Sequence, residues 1–321
     1  MYLHQIYFYL LILKSKEGDK MNIVKEIQNL KKEKNAIILA HYYVDGEIQE
    51  IADYVGDSYG LSKMVLDNDE DIIVFCGVSF MGESAKVLNP EKKVLLANLE
   101  AHCPMANMIS PEEIEKKRLE NKNICVVSYI NSSAEIKAYS DICVTSSNAL
   151  KIVEKMEVKD IFFLPDKNLA TFVSENLPDK NIIVHDGFCY VHNLIDREAI
   201  EKAKLKHPKA LVLVHPECNS EVFELADYIG STAGILNYVK KSSNEEFIIC
   251  TEKGILHQLK KENPNKKFYL TDSEQICKDM KKLKLEQIRD VLKYEQNEIL
   301  LENSIIEKAK TPLERMLEYA K

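Results

Sequence analysis

The sequence has no dense cysteine framework, no excess of positive charge and no apolar run long enough to span a bilayer. Each absence excludes a class of protein. Eight cysteines (76, 103, 125, 143, 189, 218, 250 and 277) are scattered over 321 residues. That is not the pattern of a small secreted domain stapled by disulfides. It fits a reducing, cytoplasmic setting in which most thiols pack as small hydrophobes. The net charge of −8 argues against a general nucleic-acid or membrane-surface binder. No basic helix or appended module is present to serve a DNA-binding sensor. The apolar run Ile6–Leu13 is far shorter than the ~20 residues a membrane span needs. It also lacks the flanking charge and cleavage site of a secretory signal. Residues 1–20 are therefore expected to be an extension, disordered or upstream of the true start, with a short membrane-touching helix as the alternative. Met21 then opens an amphipathic helix, "MNIVKEIQNLKKEK".

The chain does have internal repetition. Residues 41–65 read "HYYVDGEIQEIADYVGDSYGLSKMV", residues 129–153 "YINSSAEIKAYSDICVTSSNALKIV" and residues 215–239 "HPECNSEVFELADYIGSTAGILNYV". They align without a gap, and their starts lie 88 and 86 residues apart. A period that long marks a small domain present three times, not a solenoid. Each copy opens on a short run rich in β-branched residues ("AIILA", "ICVVS", "ALVLV"), as expected for a strand buried on both faces. Two helical stretches, a second strand, a further helix and a third strand follow. Strands alternating with helices imply a parallel sheet covered on both sides. The expected fold is α/β: three homologous three-layer α/β/α sandwiches around a pseudo-threefold axis. Boundaries fall at 21–107, 108–193 and 194–281, and a helical tail, 282–321, packs on the first domain. The tail is expected to close on a capping box, with Thr311 as N-cap, Pro312 at N1 and Glu314 at N3.

Comparing the copies separates structural from chemical columns. Glu47, Glu135 and Glu221 begin the first helix, where a carboxylate suits the helix dipole. Asp53, Asp141 and Asp227 end it. Both columns read as structural. At the end of the first strand stand His41 and Tyr43, Tyr129 and Asn131, and His215 and Glu217, each pair on one strand face. Ligands of open parallel sheets bind outside the carboxyl ends of strands, so six polar groups at equivalent ends suggest one shared cleft. Ser58, Ser146 and Thr232 precede the next helix as expected N-caps. Helix N-termini also bind anions, such as phosphate and carboxylate. Finally, Cys103, Cys189 and Cys277 recur 86 and 88 residues apart, each just after the last strand of its copy. Threefold symmetry would gather these thiols at one point, a setting for zinc or iron–sulfur chemistry with one metal position left open.

The ordered motifs "AHYY", "FMGESAK", "LEAHCPMA", "YINSSAEIKA", "TSSNA", "GFCYVH", "HPEC", "GSTAGI", "TEKGILHQL" and "TPLERML" resemble the quinolinate synthase family over residues 22–320. The resemblance implies one 4Fe-4S cluster held by Cys103, Cys189 and Cys277, with the fourth iron open. It implies condensation of iminoaspartate with dihydroxyacetone phosphate, with loss of phosphate and two waters, in NAD biosynthesis. An oxidase or dehydrogenase would supply the iminoaspartate. No nucleic acid or membrane partner is implied. With the chemistry of the side chains, it makes Tyr43 and His41 the proton handlers. Tyr129 and Asn131 would hold a carboxylate or carbonyl, and Ser58, Ser146 and Thr232 an anion. Glu217 beside His215 would be a general base, with His192 also facing the cleft. Two positions depart from the family pattern: His102 where glycine is usual, and Asn98 where aspartate is frequent. The competing readings are an iron–sulfur hydro-lyase for another small acid and a non-enzymatic metal sensor.

Overall fold

The computed structural model describes residue 18 and residues 20–321. The expectation for residues 1–20 lies almost entirely outside the described residues. A helix through residues 20–33 leads into the first sheet. That sheet contains β1 (Ala36–His41), β2 (Tyr54–Gly56), β3 (Ile72–Cys76) and β4 (Lys93–Leu96). The second contains β5 (Cys125–Tyr129), β6 (Ile142–Val144), β7 (Asp160–Leu164) and β8 (Asn181–Val184). The third contains β9 (Leu211–Val214), β10 (Tyr228–Ile229), β11 (Glu246–Cys250) and β12 (Lys267–Tyr269). All three are parallel and share one strand order: the second strand of each copy pairs with the first, the first with the third, and the third with the fourth. Each sheet thus holds one more strand than the sequence suggested. The additional strand, β2, β6 or β10, is two or three residues long and sits at an edge, too short for any periodicity to mark it.

Both sheet faces are covered, as the continuous apolar runs require. In the third domain, Val212, Val214, Ile248 and Cys250 face Ile200 and Ala203 of helix Arg197–Lys206. Leu213, Phe247 and Ile249 face Ile235 and Val239 of helix Thr232–Lys241 on the other side. The first domain, part of the second and the tail share one continuous core. Among the described residues, no helix is long and apolar enough to cross a membrane.

The aspartate column is structural, and the geometry shows why. Asp53, Asp141 and Asp227 each donate a backbone N–H to the first strand of their copy (Ile38, Val126 and Val212 O, each 2.9 Å). Each side chain accepts the N–H of that same residue, at 2.8, 2.7 and 2.8 Å. The pair of bonds pins the edge strand to its neighbour. Asp227→Ala should leave the Val212 N–H without an acceptor and cost about 1–3 kcal/mol. The urea midpoint reads this, and Asp227→Asn, which keeps an acceptor oxygen, should lose less.

Two expectations about helix starts are corrected. The caps lie one residue before Ser58 and Thr232: Asp57 Oδ1 accepts from Gly60 N (2.9 Å) and Ser231 Oγ from Gly234 N (3.1 Å). In the second copy, Ser146 stands in the turn before helix Ala149–Lys155, which has no side-chain cap. The hydroxyls of Ser58, Ser146 and Thr232 are therefore not used as caps. The tail differs as well. Thr311 and Pro312 lie inside helix Asn303–Tyr319, which starts after Glu302. Ile306, Ala309, Pro312, Leu313 and Met316 form one buried stripe along it. That continuous packing outweighs the local cost of an interior proline. Nor does the tail pack on the first domain alone. Helix Leu285–Tyr294 and the strand-like contacts of Asn297 and Ile299 with Leu96 and Val94 do so. Helix Asn303–Tyr319 packs against both Ser79–Leu88 of the first domain and Ala134–Ala138 of the second. Arg315 donates to Asp141 O (2.8 Å).

Candidate active site

One cavity, of about 70 Å³, opens where the carboxyl ends of the three sheets meet. His41, Tyr43, Tyr129, Asn131, His215 and Glu217 line it, as do Ser58, Ser146 and Thr232. Cys103, Cys189 and Cys277 line it too. Twelve positions nominated from three distant stretches of sequence thus share one wall. His192 is also part of it, whereas His102 is exposed and lies 3.4 Å from Ser79 Oγ. Asn98 accepts from Glu100 N nearby in the chain and donates to Lys282 O of the tail.

The cysteines divide by environment. Cys76, Cys143, Cys218 and Cys250 are buried, while the three cavity cysteines and Cys125 are partly exposed. Burial raises the thiol pKa of Cys103, to about 12, and also raises those of Cys189 and Cys277. One cause opposes this in all three copies: the backbone N–H three residues on, from Ala106, His192 and Met280, favours the thiolate. Cys103 and Cys189 open short helical turns, and Met280 begins another three residues after Cys277. Three thiols set in this way around one cavity are a fitting donor set for a metal centre, because the thiolate is the ligand form.

Two buried acids hold two of these loops, and sequence reading missed them. Asp166 Oδ2 accepts the N–H of Cys189 and Glu252 Oε1 that of Cys277, each at 3.2 Å. Their side chains also cap the following turn, from Leu169 N and Gly254 N. Asp166 and Glu252 lie 86 residues apart, so repeat spacing could have found them. The equivalent residue in the first copy is Val78, which breaks the column.

The polar wall is connected. Glu217 is buried and accepts from Tyr129 OH through Oε1, while His192 Nδ1 lies 2.9 Å from its Oε2. Burial disfavours the Glu217 charge, but His192 and the Tyr129 hydroxyl outweigh it and hold the carboxyl below its ordinary range. His192 Nδ1 is also 3.2 Å from Cys189 Sγ. Cys189, His192 and Glu217 form the group of described residues able to hold a single metal ion. Tyr43 OH lies 2.8 Å from both Thr232 Oγ1 and Thr251 Oγ1. His41 Nδ1 accepts Tyr43 N (3.1 Å) and His215 Nδ1 accepts Glu217 N (3.3 Å), one bond in two copies. In a neutral ring that leaves Nε2–H as the outward donor. Burial lowers both imidazoles to about 3, so they are neutral near pH 7.

Two further features bear on a ligand. Asn131 Oδ1 is buried without a hydrogen-bond partner, which marks a place for a ligand donor. None of the described residues lining the cavity is Lys or Arg. An anion bound here would be met by N–H groups, hydroxyls and a metal rather than by basic side chains.

Comparison with known proteins gives the same answer throughout. Residues 25–318 match the family described as Quinolinate synthetase A protein. A quinolinate synthase of Clostridioides difficile is 52% identical over 295 residues, covering 92% of this chain and 97% of its own. One of Caldicellulosiruptor saccharolyticus is 52% identical over 300 residues (94% and 99%). One of Fusobacterium nucleatum is 52% identical over 294 residues (92% and 98%). With the motifs in order along the chain and the triplicated fold beneath them, the chain belongs to the quinolinate synthetase A family.

Proposed function

We propose that the chain forms quinolinate for NAD biosynthesis by condensing iminoaspartate with dihydroxyacetone phosphate, with loss of phosphate and two waters. It works in the cytoplasm, as a transferase holding one 4Fe-4S cluster on Cys103, Cys189 and Cys277. The observation that carries this is the meeting of the three repeat cysteines and the nine polar repeat positions in one cavity. When bound, the cluster supplies Lewis-acid polarisation through an iron with no protein ligand.

The remaining roles belong to the chain's own side chains. Asn131 Oδ1 accepts from a substrate N–H or O–H. The Nε2–H groups of His41 and His215 donate to carboxylate or carbonyl oxygen. Being neutral, they orient and polarise rather than deliver a proton as imidazolium. Ser58, Ser146 and Thr232, not used as caps, present hydroxyls to the phosphate and carboxylates. Tyr43, whose phenol is kept protonated by burial and by Glu217, is the acid for departing oxygen. Glu217, ionised and aligned by Tyr129 and His192, is the base. Iminoaspartate must come from a reaction that oxidises an amino acid to its imine, hence an oxidase or dehydrogenase partner.

Anaerobic purification with iron and sulfide counting, followed by a quinolinate assay on the two substrates, tests the proposal. Four irons, four sulfides and product formation are expected. A single zinc per chain without sulfide would favour the Cys189–His192–Glu217 group as a mononuclear site and overturn the cluster. A loaded cluster without quinolinate would favour a hydro-lyase or a sensor.

A further inference from the structure

The ninth position of each repeat holds Gln49, Lys137 or Phe223, a column without shared chemistry and without a part in the reaction proposed above. The fold nonetheless gives it one place. Gln49 Nε2 donates to Tyr42 O (2.8 Å) and Val44 O (3.0 Å), the carbonyls on either side of Tyr43. It also reaches Gly254 O of the third domain (3.1 Å), and its Oε1 accepts from Gln258 Nε2 (3.0 Å). Lys137 donates to Ser132 O, the repeat equivalent of Val44 O, and Ser132 directly follows Asn131. Its ammonium lies 5.4 Å from the centre of the Phe80 ring, a first-domain side chain that lines the cavity. Phe223 meets Phe172 of the second domain edge-on, at 5.5 Å between centroids. Each copy thus reaches, in cyclic order, the segment that follows β3, β7 or β11 of the copy before it.

Lys137 is the odd member of the column. Its side chain is wholly buried, and its partners, a carbonyl and an aromatic ring, carry no charge. Burial lowers the ammonium to about 8, so near pH 7 it is mostly charged and the fold bears the cost of holding it out of water. Methionine would fill the same space without that cost. A local rule broken in this way is expected where function requires it, and what Lys137 holds is the turn Tyr129–Ser132. Ser132 Oγ also bonds back to Tyr129 O (2.8 Å), so one donor secures a turn that presents both Tyr129 and Asn131. We infer that Lys137 is a positioning residue for the substrate, tying the Asn131 turn to Phe80 of the first domain as Gln49 ties the Tyr43 turn to the third. The inference rests on the function proposed above, which makes Asn131 a substrate acceptor and Tyr43 the acid.

Lys137→Met keeps the length of the side chain and removes the donor. It should raise KM about 5- to 20-fold, the scale of one misplaced hydrogen bond to substrate, with kcat within about threefold and iron and sulfide content unchanged. The urea midpoint should hold or rise, because relief of the buried charge offsets the lost bond to Ser132 O. Lys137→Gln installs the donor that serves the first copy and should bring KM back to within about threefold of the unsubstituted enzyme. The same change at Gln49, which acts through Tyr43, should fall on kcat instead: about 10-fold in Gln49→Met, with KM within about threefold. A merely structural role for Lys137 would lower the midpoint, metal content and kcat together. That result, failure of Lys137→Met to fold, or a normal KM in it overturns the inference. So does the same kinetic change at both positions. Failure of Gln to rescue would assign the effect to the charge rather than to the turn, and overturns it as well. If the unsubstituted chain forms no quinolinate, the functional proposal falls, and this inference with it. If it does and Lys137→Met matches it, this inference falls alone.

Discussion

Substituting Cys103, Cys189 or Cys277 by Ser, one at a time, should each give a folded chain without a complete metal centre and with quinolinate formation at background. All three should be equally severe, because each sits on the same cavity wall at the same place in its repeat. Serine is nearly isosteric but is a poor ligand for iron, which is held in such clusters by thiolate. The chain should survive the change, since these side chains are partly exposed to the cavity and are not core. The control lies in the other cysteines. Cys76 and Cys250 are wholly buried in β3 and β11. Serine there buries a hydroxyl in an apolar core and should cost about 1–3 kcal/mol of stability, with iron and sulfide per folded chain unchanged. Iron, sulfide and turnover measured on all five variants decide the matter. Full metal content in any of the first three would remove that residue from the ligand set.

Much of this arrangement is legible in the sequence, and the reason is the triplication. A single polar pair at a strand end has many trivial explanations. The same two columns at His41 and Tyr43, Tyr129 and Asn131, and His215 and Glu217 have few, and all six residues do meet in one cavity. The cysteine column worked in the same way. The repeat also separated the structural aspartates, each of which braces its own strand edge.

What escaped the sequence did so for physical reasons. β10 spans two residues, and no pattern can be read from two. Pro312 looked like a helix start because local rules favour it there, but a buried stripe on both sides of it carried the helix through. Thr251 has Pro165 and Gly77 as copy-mates and so belongs to no column. Its contacts with Tyr43 and His192 span 208 and 59 residues, and only tertiary packing creates them. Symmetry finds what the three domains share. The asymmetric chemistry, in which each copy supplies different groups, must be read from contacts.

That asymmetry is sharpest at Tyr43, and Tyr43→Phe should lower turnover about 100-fold or more while leaving the metal centre intact, the scale of losing one general acid. The side chain keeps its ring and its edge-on contact with His41, at 4.5 Å between centroids. Only the oxygen goes. Burial first, then the Glu217 charge, raises the phenol pKa well above its ordinary value. The group is therefore a protonated donor throughout the working range, not a phenolate base. It follows that the pH–rate profile of the unsubstituted enzyme should show no limb from Tyr43 ionisation near pH 10, and that the loss in Tyr43→Phe should be similar at every pH below that. Removing the oxygen also strips a partner from Thr232 and Thr251. A modest stability loss of about 1–2 kcal/mol should accompany the kinetic one. The two effects separate by measurement: metal content and unfolding midpoint report the second, and turnover at saturating substrate reports the first. Near-normal turnover in a variant that carries the full metal complement would take Tyr43 out of the chemistry. The proton that leaves with the phosphate or with water would then have to come from another group in the cavity, where Tyr129 and Tyr190 are further phenols kept protonated by burial.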